Sequence, residues 1–121
     1  MTLLVAWAGI DSRGPASVYM ASDSLITWSE SRSFDFGRKV FSFNNHPDVL
    51  GYCGDVLFPS IAINQIVEMA DNGLLFREEY SCKDKFEAIV NKLNQIFNSS
   101  FNEVFRYLFR TCIGIYSIVT E

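Results

Sequence analysis

The chain has 121 residues, a formal net charge of −4, and a composition that is 49% apolar and 15% aromatic. This length allows at most one domain, residues 1–121, and the apolar content supports a packed core and not a disordered chain. The acidic balance argues against a nucleic-acid partner, since no basic stripe is present to neutralise phosphates. Lysine and arginine are scattered along the chain, so an anionic membrane surface is also disfavoured.

Cysteine usage and the first apolar segment indicate the compartment. Cys53, Cys82 and Cys112 form an odd set without metal-ligand spacing, which is typical of reduced thiols and not of a disulfide framework. The apolar run Leu3–Ile10 is too short to cross a bilayer, and no basic region precedes it as in a signal peptide. We therefore expect a cytoplasmic protein that needs no metal or other cofactor.

The first half of the chain predicts two β-hairpins joined by a loop. Leu3–Gly9 is a short apolar run, and Ala16–Ala21 follows it after a turn rich in Asp, Gly and Pro. The polar and aromatic segment Ser22–Phe36 shows little periodicity and is predicted to be a loop. Lys39–Phe43 alternates with period two, and Val49–Cys53 follows after an Asn-Asn-His-Pro turn, which predicts the second hairpin.

The second half changes to helical spacing. Apolar residues recur at intervals of three and four from Phe58 to Ala70, and Gly73 predicts the end of this first helix. A second helix is predicted from about Lys83, with an apolar stripe consisting of Phe86, Val90, Leu93, Phe97, Phe101, Val104 and Phe105. Thr111–Val119 is again strand-like. The order β-β-β-β-α-α-β predicts an α+β fold whose sheet has apolar residues on both faces, so both faces need a cover.

Thr2 is the most informative residue for function. Met1 is commonly removed before a small residue, and its removal here leaves a threonine with a free α-amine at the start of an apolar strand. Such a residue combines a nucleophile, its Oγ, with a base, its own amine. The unperturbed amine titrates near about 8, so a fraction of it is neutral at cellular pH.

Two charged residues and a glycine can support this nucleophile. Asp23 follows the second predicted strand and Lys39 opens the third. A lysine close to Oγ supplies the positive potential that favours the alkoxide, and an aspartate beside the lysine keeps it charged and oriented. The segment Gly51–Gly54 ends a strand just before a helix, where a backbone N–H can stabilise an oxyanion.

These residues occur in an order that resembles a known family. The motifs are Thr2–Ala6 (TLLVA), Ala21–Ser24 (ASDS), Gly37–Phe41 (GRKVF) and Gly51–Gly54 (GYCG). Together they resemble the proteasome β-subunit class of N-terminal nucleophile (Ntn) hydrolases, which includes the bacterial two-component proteasome-like peptidase.

The resemblance implies a threonine protease that cleaves amide bonds through an acyl-enzyme. Thr2 would be the nucleophile with its own amine as base, Asp23 and Lys39 would tune it, and the Gly54 amide would bind the oxyanion. The implied fold is the four-layer αββα sandwich. Peptide or protein is the implied substrate class, with a small amide as the alternative because Ntn hydrolases as a group also cleave those. The resemblance also implies assembly into a homo-oligomer, with an ATPase as a further partner.

The sequence departs from the family pattern in two places. Leu25 stands two positions after the aspartate, where the family usually has arginine, and the chain stops at Glu121, about where the family's second half begins. We therefore expect residues 1–121 to correspond to the N-terminal part of the family fold. These departures favour an alternative function, a non-catalytic proteasome-like subunit that serves assembly only. His46 is interpreted as a loop histidine and Cys53 as a small core residue.

Overall fold

The structure is a computed structural model that describes residues 3–29, 31–100 and 111–117. Within these residues the chain forms an α+β domain with helices and three antiparallel sheets. The elements in chain order are β1 (Leu4–Asp11), β2 (Gly14–Ser22), β3 (Ile26–Ser29), β4 (Arg32–Phe34), β5 (Val40–Ser42), β6 (Asp48–Gly54), α1 (Leu57–Asp71), α2 (Cys82–Ser100) and β7 (Thr111–Ser117). The expected α+β class is confirmed at this level.

The first hairpin joins β1 and β2 over their whole lengths. Its register pairs Leu4 with Ser22 and Trp7 with Tyr19, and it changes between Gly9 and Ile10. Gly14 closes the turn with a φ of 112°, a backbone conformation that glycine adopts without the steric cost of a Cβ. Both predicted strands are present, and their ends differ from the predicted ones by one or two residues.

The prediction of a loop over Ser22–Phe36 was wrong in part. The short strands β3 and β4 pair antiparallel within that segment, with Ile26 opposite Phe34 and Thr27 opposite Ser33. Strands of three or four residues are too short to show a period of two in the sequence, so only the pairing itself reveals them. The described order therefore has six strands, β1–β6, before the helices where four were predicted.

The central sheet has the strand order β5-β6-β7, with both pairs antiparallel. The second hairpin and the final strand are therefore confirmed, although Ile118 and Val119 of the predicted strand lie outside the described residues. Strand β6 lies in the middle, and Leu50 and Tyr52 on it are fully buried. Their neighbours in the core come from β5, both helices and the connections after β5 and α1, and are Phe41, Phe43, Ile63, Ile66, Ala70, Phe76 and Ile89.

Both ends of α1 and the start of α2 agree with the sequence prediction. Gly73, at φ 73°, follows α1, and the Leu74 N–H donates to the Met69 carbonyl at 2.9 Å in a helix-terminating bond. At the start of α2 the Asp84 carboxylate accepts from the Ser81 N–H, and the Asp84 N–H donates to Ser81 Oγ, which is a capping box. The predicted stripe beyond Ser100 lies outside the described residues. Neither described helix has the length and apolar character that crossing a membrane requires.

The elements stack in three layers within the described part of the chain. Leu50 and Tyr52 pack with α1 on one face of the central sheet. Gly51 between them faces the other way, and a Cβ on it would overlap Met20 Sδ of β2 and lie 2.9 Å from Leu4 Cδ1 of β1. The order of layers is therefore helices, central sheet and β1–β2 hairpin, and glycine at position 51 allows the hairpin to approach the sheet closely.

Candidate active site

Lys39 is a buried lysine directly before β5. The residue is 1% exposed, and its ammonium Nζ donates to Asp23 Oδ1 at 3.0 Å and to the Leu25 carbonyl at 2.6 Å. An ammonium without hydrogen-bonded partners is costly to bury, so these oxygen atoms are what allows a charged lysine at this position. The structure therefore brings together two of the predicted site residues.

Asp23 connects this lysine to the beginning of the first strand. The Asp23 N–H donates to the Leu3 carbonyl at 3.2 Å, and Asp23 Oδ1 accepts from the Leu3 N–H, also at 3.2 Å. The hydrogen bond from Lys39 lowers the pKa of Asp23 below its ordinary value, the Leu3 N–H adds to this effect, and partial burial opposes it. A charged carboxylate is consequently favoured between Lys39 and Leu3.

Thr2, the predicted nucleophile, lies outside the described residues. The Leu3 nitrogen, which donates to Asp23, is the amide nitrogen of the peptide bond between Thr2 and Leu3. The pair Asp23–Lys39 is thus attached by a hydrogen bond to the residue that follows Thr2 in the chain. Thr2 as nucleophile remains a prediction.

The departure at Leu25 does not remove a contact from the lysine. Lys39 binds the main-chain carbonyl of Leu25, while the Leu25 residue itself is 41% exposed. Any residue at position 25 presents the same carbonyl, so the bond does not require the arginine of the family pattern.

Gly54 is the last residue of β6 and has a φ of 98°. The Tyr52 N–H donates to the Lys39 carbonyl at 3.1 Å, so the end of β6 and the start of β5 lie at the same end of the sheet. Helix α1 begins at Leu57, three residues after Gly54, and the N-terminus of a helix carries positive potential. Gly54 is therefore at the correct end of the sheet for the predicted oxyanion role, which remains a prediction.

His46 contacts a helix carbonyl and two core aromatic rings. His46 Nε2 lies 3.1 Å from the Ala70 carbonyl, and its ring packs edge-on against Phe43 and Phe76, as expected for a loop histidine. No cluster of three or more His, Cys, Asp or Glu residues suited to a metal ion occurs in the part of the chain that the structure describes.

Sequence reasoning missed two contributors to this region. The first is the Leu25 carbonyl, which no side-chain pattern can reveal because every residue has one. The second is Tyr52, whose hydroxyl donates to the Arg38 carbonyl at 3.3 Å. Its position in the GYCG motif, opposite the start of the lysine strand, is the signal that could have found it.

Comparison with protein-family models, with curated proteins and with solved structures gave no match. The function is therefore inferred from the geometry of the site and from the motif resemblance.

Proposed function

We propose that this chain is a proteasome-like N-terminal threonine hydrolase that cleaves peptide bonds after removal of Met1. The observation that carries the proposal is the chain of contacts from Lys39 to Asp23 to the amide of Leu3. A nearby positive charge, here that of buried Lys39, favours the alkoxide of an N-terminal nucleophile, and Asp23 holds this charge beside the beginning of β1. The motif resemblance supports the same assignment.

The proposed reaction has two steps. In the first, Thr2 Oγ attacks the amide carbonyl and passes its proton through the Thr2 amine to the leaving nitrogen, so that a C–O bond forms and the C–N bond breaks. The positive charge of Lys39 stabilises the developing alkoxide, and the Gly54 N–H stabilises the oxyanion. In the second step, water hydrolyses the resulting ester, with the amine again accepting the proton, and Thr2 is regenerated.

The proposal extends to fold and partners. Helices, central sheet and hairpin stack in an order compatible with three layers of an αββα sandwich, and we propose that the full fold is of this type. A peptide or protein substrate, a cytoplasmic location, a homo-oligomer and an ATPase partner belong to the same proposal.

The test is the intact mass of the purified chain before and after treatment with a threonine-reactive epoxyketone. We expect loss of Met1 and one covalent adduct on the wild type. Thr2→Ala should also lose Met1 but take no adduct, while the matched control Thr27→Ala should label like the wild type. A trimmed wild-type chain without an adduct would contradict the proposal, as would labelling of Thr2→Ala.

A second candidate function, assembly without catalysis, is favoured by one observation. On the outer face of the β1–β2 hairpin, Val5, Trp7 and Tyr19 are each about half exposed, and the rings of Trp7 and Tyr19 stack with centroids 5.4 Å apart. Exposed apolar surface of this kind is typical of interaction sites. If this function is correct, the chain will form an oligomer by size-exclusion chromatography with light scattering and will remain unlabelled by the epoxyketone.

A further inference from the structure

We propose that Tyr52 is a positioning residue for Lys39. Its hydroxyl donates to the Arg38 carbonyl at 3.3 Å, and its main-chain N–H donates to the Lys39 carbonyl at 3.1 Å. These carbonyls belong to the peptide groups before and after Lys39. A single residue of β6 therefore holds both peptide groups that set the direction of the Lys39 side chain.

The direction of this side chain matters because lysine is long and flexible. Four side-chain torsions separate its Cα from Nζ, and ordering them costs conformational entropy. Lys39 is buried, so its ammonium has protein oxygen atoms and not bulk water around it. A small rotation of the peptide groups at Lys39 would move Nζ away from Asp23 and Leu25, and a misplacement of about 1 Å can cost about 10²-fold in rate.

Tyr52 is itself held in place by the core. It is fully buried, its ring lies 6.4 Å from that of Phe41 between centroids, and it belongs to the cluster that includes Ile63 and Ile66 of α1. Burial raises the pKa of Tyr52, so its hydroxyl stays protonated and able to donate over the whole neutral range. Tyr52 therefore packs against α1 with its ring and holds the peptide group before Lys39 with its hydroxyl.

The inference rests on the proposed function for its catalytic consequence, and the test separates the two. The variant is Tyr52→Phe, which keeps the ring and removes only the hydroxyl. Tyr80→Phe is the matched control, since Tyr80 packs against the same core from its edge. The first measurement is hydrolysis of a fluorogenic peptide amide. The second is the NMR signal of lysine ¹³Cε in the full chain, with the Lys39 signal assigned by its loss in Lys39→Met.

We expect Tyr52→Phe to lower kcat about tenfold with KM unchanged within about twofold, and to move the Lys39 signal, while Tyr80→Phe changes neither. An unchanged Lys39 signal in Tyr52→Phe overturns the inference whatever the activity, and a moved signal with wild-type kcat overturns it as well. If the wild type has no hydrolase activity but the signal moves, the proposed function fails and the positioning of Lys39 by Tyr52 stands.

Discussion

Two lysine–aspartate pairs in this molecule have the same length but opposite burial. Lys39–Asp23 and Lys85–Asp48 each join Nζ to a carboxylate oxygen at 3.0 Å. In the first pair the lysine side chain is 0% exposed and the aspartate 32%, whereas in the second the aspartate is 3% exposed and the lysine 17%. The buried partner is the cation in one case and the anion in the other.

The two pairs also join different parts of the fold. Lys85 comes from α2, Asp48 opens β6, and the Lys85 ammonium also lies 5.4 Å from the centre of the Phe76 ring. This second pair anchors a helix to the central sheet. The first pair directs a buried positive charge towards a partly exposed aspartate that follows β2 and accepts a hydrogen bond from the Leu3 N–H. We therefore expect the first pair to affect activity and the second to affect stability.

Replacement of Lys39 and of Lys85, each by methionine, should give the largest difference in hydrolase activity. Lys39→Met should lower peptide hydrolysis about 10³-fold, because the charge that stabilises the alkoxide is lost while the volume is kept. Lys85→Met should leave kcat within about twofold of the wild type for the folded fraction. The measurement is steady-state hydrolysis, normalised to folded protein by circular dichroism. Equal losses in the two variants would mean that the pairs do not differ in function.

Removal of the buried aspartate should have the largest effect on stability. Asp48→Ala should lower the free energy of unfolding by about 3 kcal/mol, since it leaves the partly buried Lys85 ammonium without its carboxylate. Urea denaturation measures this change, and Asp35→Ala, at an exposed position, is the control that should leave the unfolding midpoint unchanged. An Asp48→Ala protein as stable as the control would show that the pair contributes nothing to the fold.

The stability that Asp23 contributes should depend on pH, because its pKa is lowered in the folded chain. A carboxyl group whose pKa is lower in the folded than in the unfolded chain stabilises the fold above the unfolded value of about 4. That contribution is lost as pH falls through the folded-state pKa. Asp23→Asn should therefore be less stable than the wild type at pH 6, with the difference shrinking below about pH 4. Urea midpoints at a series of pH values give the comparison, and a difference independent of pH would contradict the assignment.

The smallest effect on stability is expected at the N-terminal cap of α2. Ser81→Ala removes the side-chain hydroxyl of the capping box and should cost about 1 kcal/mol of stability. Urea denaturation measures this change, and peptide hydrolysis by the folded fraction should be unchanged. A loss of activity at this position would indicate that the helix and the candidate site are coupled more closely than the contacts suggest.

The elements that the sequence predicted correctly are those with a local signal. The β1–β2 hairpin has turn residues between apolar runs, and Gly73 ends α1 as its position indicates. The strands β3 and β4 were missed because each is too short to show a pattern. For the site, residue types and order predicted Asp23 and Lys39, and the structure brings these two together.

By itself, the sequence determined the α+β class and the chemical character of the candidate site, because periodicity, turn residues and functional groups are properties of short segments. Only the tertiary structure decided which lysine is fully buried, since the residue type is the same at positions 39 and 85 and does not indicate its exposure. Burial, the Leu25 carbonyl and the two bonds from Tyr52 all depend on segments that are distant in the chain. The environment of a charge is set by such long-range packing, and a local sequence pattern cannot predict it.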